Sequence, residues 1–217
     1  MTSPSIAAVR EARRTLAQWL PITRLVPAPS LSRLSGVNVF LKLEGDLPTG
    51  SFKPRGALWA LDARLRRGPI AGVVTCSTGN HGAAVACAAR QLGVPAFVFL
   101  PENPNPVKRA NIAGLGAAIF ESGRDLAVAF RAASEYAESR DFYFLNDATD
   151  HDLPAGPATI ACEILEQLES VDVIYVPMGD TALIRGVASA AKEISPRIRI
   201  IGVQAELAPA YYLSWRQ

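Results

Sequence analysis

The sequence predicts an α/β protein built of open, mostly parallel sheets with helices on both faces. Three observations carry this. Short apolar, β-branched runs alternate with longer helical runs from residue 37 onward. Turns rich in Gly, Ser and Thr stand where strands pass into helices. The chain has 217 residues, 49% of them apolar and 19% charged, which is enough for a sizeable core and too apolar for disorder. Alternation of this kind builds right-handed βαβ units and a largely parallel sheet.

The elements follow in order. Residues 5–20 carry Ile6, Val9, Leu16 and Leu20 with Arg10, Arg13 and Arg14 between them, the pattern of an amphipathic helix. A transit peptide shares that pattern, but Glu11 and the lack of a Ser-rich run favour the helix. Val37 to Leu43 reads as a strand, followed by a turn-rich stretch and a helix from Pro54 to Arg67, since proline is tolerated in a first helical turn. Gly72 to Cys76 is a strand that breaks at Ser77-Thr78-Gly79-Asn80 into an alanine-rich helix ending near Gly93. Strands at Pro95–Leu100, Ala117–Phe120 and Phe142–Leu145 alternate with helices at Val107–Leu115 and Asp125–Ser139. Asp147 to Pro157 is polar and proline-containing and reads as a crossover. Helices at Thr159–Leu168 and Thr181–Ile194 then alternate with strands at Val171–Val176 and Ile198–Val203. Ala208 to Trp215 looks like the opening of one more helix without room to pack, which suggests a chain cut short.

Composition excludes several functions. The 22 basic and 20 acidic residues give a net charge of +2 and are interspersed, which argues against nucleic acid. The densest basic stretch, Arg64 to Arg67, fits a helix end before Gly68. No apolar run approaches the roughly 20 residues of a bilayer span. The three cysteines, Cys76, Cys87 and Cys162, have neither a CxxC spacing nor an even count, so neither a disulfide framework nor a zinc site is expected. Free thiols and the absence of a secretory apolar stretch place the protein in the cytosol. The two histidines, His81 and His151, lack carboxylates at ligand spacing. Neither GxSxG nor GxGxxG occurs.

In open α/β sheets ligands bind beyond the carboxyl ends of strands, and three such loops stand out. The first is Thr49-Gly50-Ser51-Phe52-Lys53-Pro54-Arg55-Gly56. Only four lysines occur against eighteen arginines, so a lysine at a helix start is a specific choice. The helix N-terminus disfavours an ammonium and is expected to lower the Lys53 pKa, freeing the amine for imine formation. The bland alternative is a surface lysine in a loop. The second loop is Ser77-Thr78-Gly79-Asn80-His81-Gly82. Its amides suit a carboxylate or phosphate; equally, Ser77 or Thr78 is a simple helix cap and His81 a structural histidine. The third is Pro177-Met178-Gly179-Asp180-Thr181-Ala182-Leu183. Its amides and the Thr181 hydroxyl suit phosphate, whereas Asp180 repels it and serves more simply as a helix cap.

Taken together and in this order, these loops resemble the pyridoxal-phosphate enzymes of the tryptophan-synthase-β fold group. The nearest branch is that of the threonine/serine dehydratases and serine racemases. The residues that carry the resemblance are Leu41-Lys42-Leu43-Glu44, Thr49 through Ala57, Ser77 through Gly82, and Ile201-Gly202-Val203. It extends over nearly the whole chain.

The resemblance implies a fold of two lobes, each an open, mostly parallel sheet. Residues 66–147 would form the small lobe. Residues 1–65 and 148–217 would form a larger cofactor-binding lobe that is incomplete, since family members continue further. It implies pyridoxal 5'-phosphate as cofactor, bound to Lys53 as a Schiff base, with Lys53 then moving the substrate α-proton. Phe52 would pack near the cofactor ring and Asn80 would bond its phenolic oxygen. Ser77, Thr78, Gly79 and His81 would grip the substrate carboxylate, and Gly179, Asp180, Thr181, Ala182 and Leu183 would stand at the phosphate. The implied reaction is β-elimination from threonine or serine, giving a 2-oxo acid and ammonia. A homodimer is the family expectation.

The departures are specific. Family phosphate loops carry several consecutive glycines, whereas Asp180 follows Gly179 here. Racemases carry serine at the position of Thr78. Metal-binding relatives have glutamate at the position of Gln204 and aspartate at that of Ala210, so no metal is expected. Cysteine-synthase relatives have threonine where His81 stands, which disfavours a β-replacement enzyme. A degenerate, non-catalytic member that binds a small anion is the other alternative.

Overall fold

A computed structural model describes residues 3–216. The chain opens with helix α1 (Ile6–Leu16), a short strand β1 (Leu25–Pro27), helix α2 (Pro29–Ser35) and strand β2 (Phe40–Lys42). A single 3-10 turn at Glu44–Asp46 leads to helix α3 (Lys53–Arg66). Then come β3 (Val73–Cys76), α4 (Asn80–Leu92), β4 (Ala96–Leu100), α5 (Pro106–Gly114), β5 (Ala118–Glu121), α6 (Leu126–Ser139) and β6 (Tyr143–Phe144). The last part holds α7 (Ala155–Gln167), β7 (Val173–Pro177), α8 (Ala182–Ile194), β8 (Arg199–Val203) and α9 (Ala210–Arg216).

The predicted α/β class is what the chain adopts. Strands β5, β4, β3 and β6 form one parallel sheet in that order, with Val73 opposite both Ala96 and Tyr143. Strands β7 and β8 pair in parallel from Val173↔Arg199 to Pro177↔Val203. Alternation along each strand sorts the four-stranded sheet's two faces. Val73 and Val98 join the cluster that includes Ala84, Val85 and Ala88 of α4. Val74 and Phe99 join Ala133 and Ala137 of α6 on the other face. Small alanines let both helices lie close to the sheet, and Phe97, Phe99, Phe120, Tyr136 and Phe142 fill the α6 side with aromatic contacts.

Helix α7 packs against both α3 and α8, and α3 joins this group to the α4 core. Their approach depends on missing side chains. A Cβ on Gly186 of α8 would lie 2.4 Å from the Pro154 carbonyl and 2.8 Å from the Ala158 amide of α7. A Cβ on Gly82 of α4 would lie 2.8 Å from the Ser77 carbonyl, so glycine lets the first turn of α4 fold against the end of β3.

Three differences from the sequence reading have physical reasons. Strand β1 and helix α2 stand in a stretch to which the sequence reading gave no element, and β1 pairs antiparallel, Leu25 opposite Lys42, with β2, which is the expected strand Val37–Leu43 shortened to three residues. Each strand is three residues long and α2 buries none of its residues, so neither produces an apolar period. Helix α7 starts four residues before the expected Thr159, because Gly156 and Pro157 belong to its first turn rather than to a crossover. Within β7, Tyr175 is exposed: on its face the β7–β8 pair has no covering helix among the described residues.

Candidate functional site

Parallel strands β3, β6 and β7 end near one another, and the chain beyond each supplies one wall of a site centred on Lys53. Lys53 is the first residue of α3, with Pro54 behind it as a rigid first-turn residue. The Lys53 amine donates to Asp147 Oδ2 at 2.6 Å and also to Asp180 Oδ2. Asp147 follows β6 and Asp180 follows β7. All three side chains are largely buried, with Lys53 12% exposed and each aspartate 23%.

This geometry reverses one sequence expectation. Burial does act against the Lys53 ammonium, but Asp147 and Asp180 outweigh it, and the Lys53 pKa is raised above the ordinary lysine value. Two carboxylates in contact overcome both burial and the half-charge of a helix terminus. The Phe52 ring also lies alongside, its centroid 5.3 Å from the amine.

Behind Asp147 sits His81, 5% exposed. Its Nε2 lies 3.1 Å from the Leu145 carbonyl, which only accepts, so Nε2 carries the proton. Nδ1 is then a bare lone pair, buried without a hydrogen-bond partner among the described residues and 3.8 Å from Asp147 Oδ2. Burial lowers the His81 pKa, and Lys53 adds to that, against the pull of Asp147 and the Leu145 carbonyl. Burial also works against the Asp147 carboxylate, but His81, when protonated, and the Lys53 ammonium hold its pKa below the usual value. Near neutrality His81 is uncharged, so Lys53 is the cation that matters.

The other predicted residues stand in the loops beyond β3 and β7 and in the helix starts that follow them. Ser77, Thr78 and Gly79 are partly exposed at the end of β3, with the Gly79 amide donating to Ser77 Oγ at 3.3 Å. Asn80 begins α4 and is exposed, its side chain free of hydrogen bonds to the described residues. His81 differs from the expectation: its side chain is turned inward to Leu145, away from any carboxylate held at the loop. Gly179 is exposed, and a Cβ there would meet nothing within 4 Å. Asp180 Oδ1 accepts the Ala182 amide at 3.0 Å, so the capping role is realised. Thr181 makes no side-chain cap, and Ala182 and Leu183 are buried in the first turn of α8.

The sequence reading passed over two features. Asp147 was taken as crossover, although Asn146-Asp147 lies just past a parallel strand, where the strand-end rule applies. The second is a buried ionic network one turn into α3. Arg55, 2% exposed, donates from Nε and Nη2 to Glu44 at 2.8 and 2.9 Å. It also donates from Nη1 and Nη2 to Glu163 at 2.6 and 2.9 Å. Lys42 completes a balanced set at 2.6 Å from Glu163 Oε2, and the Thr23 hydroxyl donates to Glu44 at 2.7 Å. Arg55 thus fixes the first turn of α3, and with it the Lys53 backbone, to both β2's end and α7. No His, Cys, Asp and Glu cluster able to hold a metal ion is found among the described residues, nor any helix long and apolar enough to cross a membrane.

Parallel strand ends converging on a buried lysine at a helix start define an α/β protein with a lysine-centred site. Comparison with known proteins then narrows the class. The chain belongs to the pyridoxal-phosphate dependent enzymes, whose family profile matches residues 17–217. It is 37% identical over 206 residues to an L-threonine ammonia-lyase of Geobacter sulfurreducens, covering 95% of this chain and 51% of that one. It is 36% identical over 209 residues to the L-threonine ammonia-lyase of Thermotoga maritima, covering 96% and 52%. Among solved structures, maize serine racemase superposes with a TM-score of 0.94 at 32% identity, covering 98% of this chain and 65% of that one. The chain spans about half the length of the curated ammonia-lyases it matches.

The residues can be tested against the family's cofactor, pyridoxal 5'-phosphate. The aldehyde end fits, since Lys53 is a single partly accessible amine at the strand ends. The phosphate end has the α8 amides and open space beside Gly179. The Asp180 carboxylate holds the Ala182 amide that a phosphate would take.

Proposed function

We propose that this chain carries the cofactor lysine of a pyridoxal-phosphate dependent ammonia-lyase that deaminates a β-hydroxy amino acid such as threonine or serine. The observation that carries the reading is the Lys53 amine, held at the meeting point of three strand-end loops in a chain of this family. The likeness to two L-threonine ammonia-lyases supports the substrate class. Thr78, where racemases have serine, supports elimination over racemisation.

The bound cofactor supplies an electron sink for the carbanion left when the substrate loses its α-proton. The chain's own residues do the rest. Asp147 and Asp180 hold the Lys53 ammonium in place, and Lys53 Nζ, once neutral, would move the α-proton. Ser77, Thr78 and Gly79 would offer hydroxyls and amides to the substrate carboxylate, and Phe52 and Asn80 would hold the cofactor ring. The backbone of His81 completes this turn while its side chain is tied to the Leu145 carbonyl. The α8 start, from Gly179 through Leu183, would hold the phosphate, with the Ala182 amide now bonded to Asp180.

Residues 66–147 form the small domain of this reading, and residues 1–65 and 148–217 belong to the cofactor-binding domain. The four-stranded sheet, lying wholly within residues 73–144, supports that division. A cytosolic, homodimeric protein without a nucleic-acid partner completes the reading.

The test is the visible absorbance of the chain with pyridoxal 5'-phosphate, followed by 2-oxo acid release from threonine and serine. An absorbance band lost in Lys53→Ala, with 2-oxo acid formed, supports the reading. A band without product from any β-hydroxy amino acid overturns the proposed reaction.

A further inference from the structure

Asp180 does two things at once. One carboxylate oxygen accepts the Ala182 amide at 3.0 Å, and the other pairs with the Lys53 ammonium. The first satisfies an otherwise free amide of the 13-residue helix α8 and sets a negative charge at its start, as a bound anion does. The second sets that charge against the amine that the cofactor aldehyde must reach. The Thr181 hydroxyl, the other group able to cap this helix, makes no such bond.

We infer that Asp180 is an internal anion holding the place of the cofactor phosphate, so that this chain loads pyridoxal 5'-phosphate only when Asp180 releases both the Ala182 amide and Lys53. The inference rests on the cofactor reading above and adds a residue that sets which aldehyde the site prefers. A phosphate at the Ala182 amide stands beside a carboxylate of the same sign in a partly buried site, where such repulsion is only weakly screened. Lys53 keeps Asp147 as a partner when Asp180 leaves, so the ammonium is not stranded. Gly179 is exposed with open space around its Cα, which gives the loop room to move. Pyridoxal, which has a hydroxymethyl group in place of the phosphate ester, meets no repulsion and can donate a hydrogen bond to the same carboxylate.

The test is equilibrium binding of pyridoxal 5'-phosphate and of pyridoxal to the 217-residue chain, to Asp180→Gly and to Asp180→Asn, at one pH and ionic strength. Removing Asp180 also changes Lys53, but that acts on both aldehydes alike, so the readout is the ratio of their dissociation constants. In both variants the preference for the phosphorylated aldehyde rises by roughly tenfold or more, the size expected from removing one close like charge. An unchanged ratio, with both aldehydes tightened equally or neither altered, overturns the inference. Asp180→Asn keeps an oxygen for the Ala182 amide, so it carries the test if Asp180→Gly fails to fold. If no variant binds either aldehyde, the cofactor reading fails, and inorganic phosphate decides the inference separately. Stabilisation of Asp180→Asn but not of the unaltered chain by phosphate, seen as a rise in melting temperature, supports it; equal response overturns it.

Discussion

The Lys53 amine and the Asp147 carboxylate lie 2.6 Å apart, joined from the start of α3 to the loop beyond β6. Their pairing, reinforced by Asp180, raises the lysine pKa, whereas imine formation needs the neutral amine. Asp147→Asn removes one of the two carboxylates while keeping the hydrogen-bonding shape. The pH at which half of the chain binds pyridoxal is expected to move downward in this variant. Titration of pyridoxal absorbance against pH checks it, and an upward or absent shift contradicts the role given to Asp147.

The same pairing has a consequence for stability. A group whose pKa is raised on folding contributes stability that is complete below its unfolded value and is lost as pH rises through the folded value. The Lys53 contribution is therefore present at neutral pH and fades in strongly alkaline solution. Lys53→Met removes the cation and leaves Asp147 and Asp180 facing each other. Its melting temperature is expected to fall at pH 7 and to converge with that of the unaltered chain as pH rises above the ordinary lysine range. Melting curves at a series of alkaline pH values measure this convergence.

Arg55 holds two carboxylates in forked contacts at 2% exposure. Arg55→Met preserves much of the volume but strands Glu44 and Glu163, with only Lys42 and Thr23 left to answer them. Breaking a buried pair by removing one partner costs about 3–5 kcal/mol. Urea unfolding should report a loss of that order. Arg55→Lys should recover only part of it, because an ammonium cannot reproduce both forks. Equal stability of Arg55→Met would mean that the network is neutral for folding.

The alternation of strands and helices was legible because buried parallel strands such as Val73–Cys76 and Ala96–Leu100 are short apolar runs bounded by turns. Lys53 was legible as a place, since the helix start and its Gly-Ser-Pro surroundings are local. Its charge state was not, because Asp147 and Asp180 reach it from distant positions that only the packing of β6 and β7 brings together. The Arg55 network was hidden for the same reason: Glu44 lies nearby in sequence, but Glu163 comes from α7. His81 shows the converse. Its place in a Gly-Asn-His turn draws attention to its side chain, whereas the fold turns that side chain inward and leaves the turn's backbone at the opening.

Glu163 gives the acid limb of stability a definite sign. Burial pushes its pKa up, but the hydrogen bonds and charge of Arg55, followed by Lys42, bring it below the usual glutamate value. A depressed carboxylate contributes stability that is present above its unfolded pKa and lost as pH falls through the folded one. Glu163→Gln lacks this titration. The variant is expected to be less stable than the unaltered chain at pH 7, because Arg55 and Lys42 lose a counter-charge. The difference should shrink steadily as the solution is acidified below the ordinary glutamate range, where the native carboxyl is itself being protonated. Urea unfolding at matched pH values measures the two slopes. A difference independent of pH would show that Glu163 acts through shape and hydrogen bonding alone, with no net linkage to its charge.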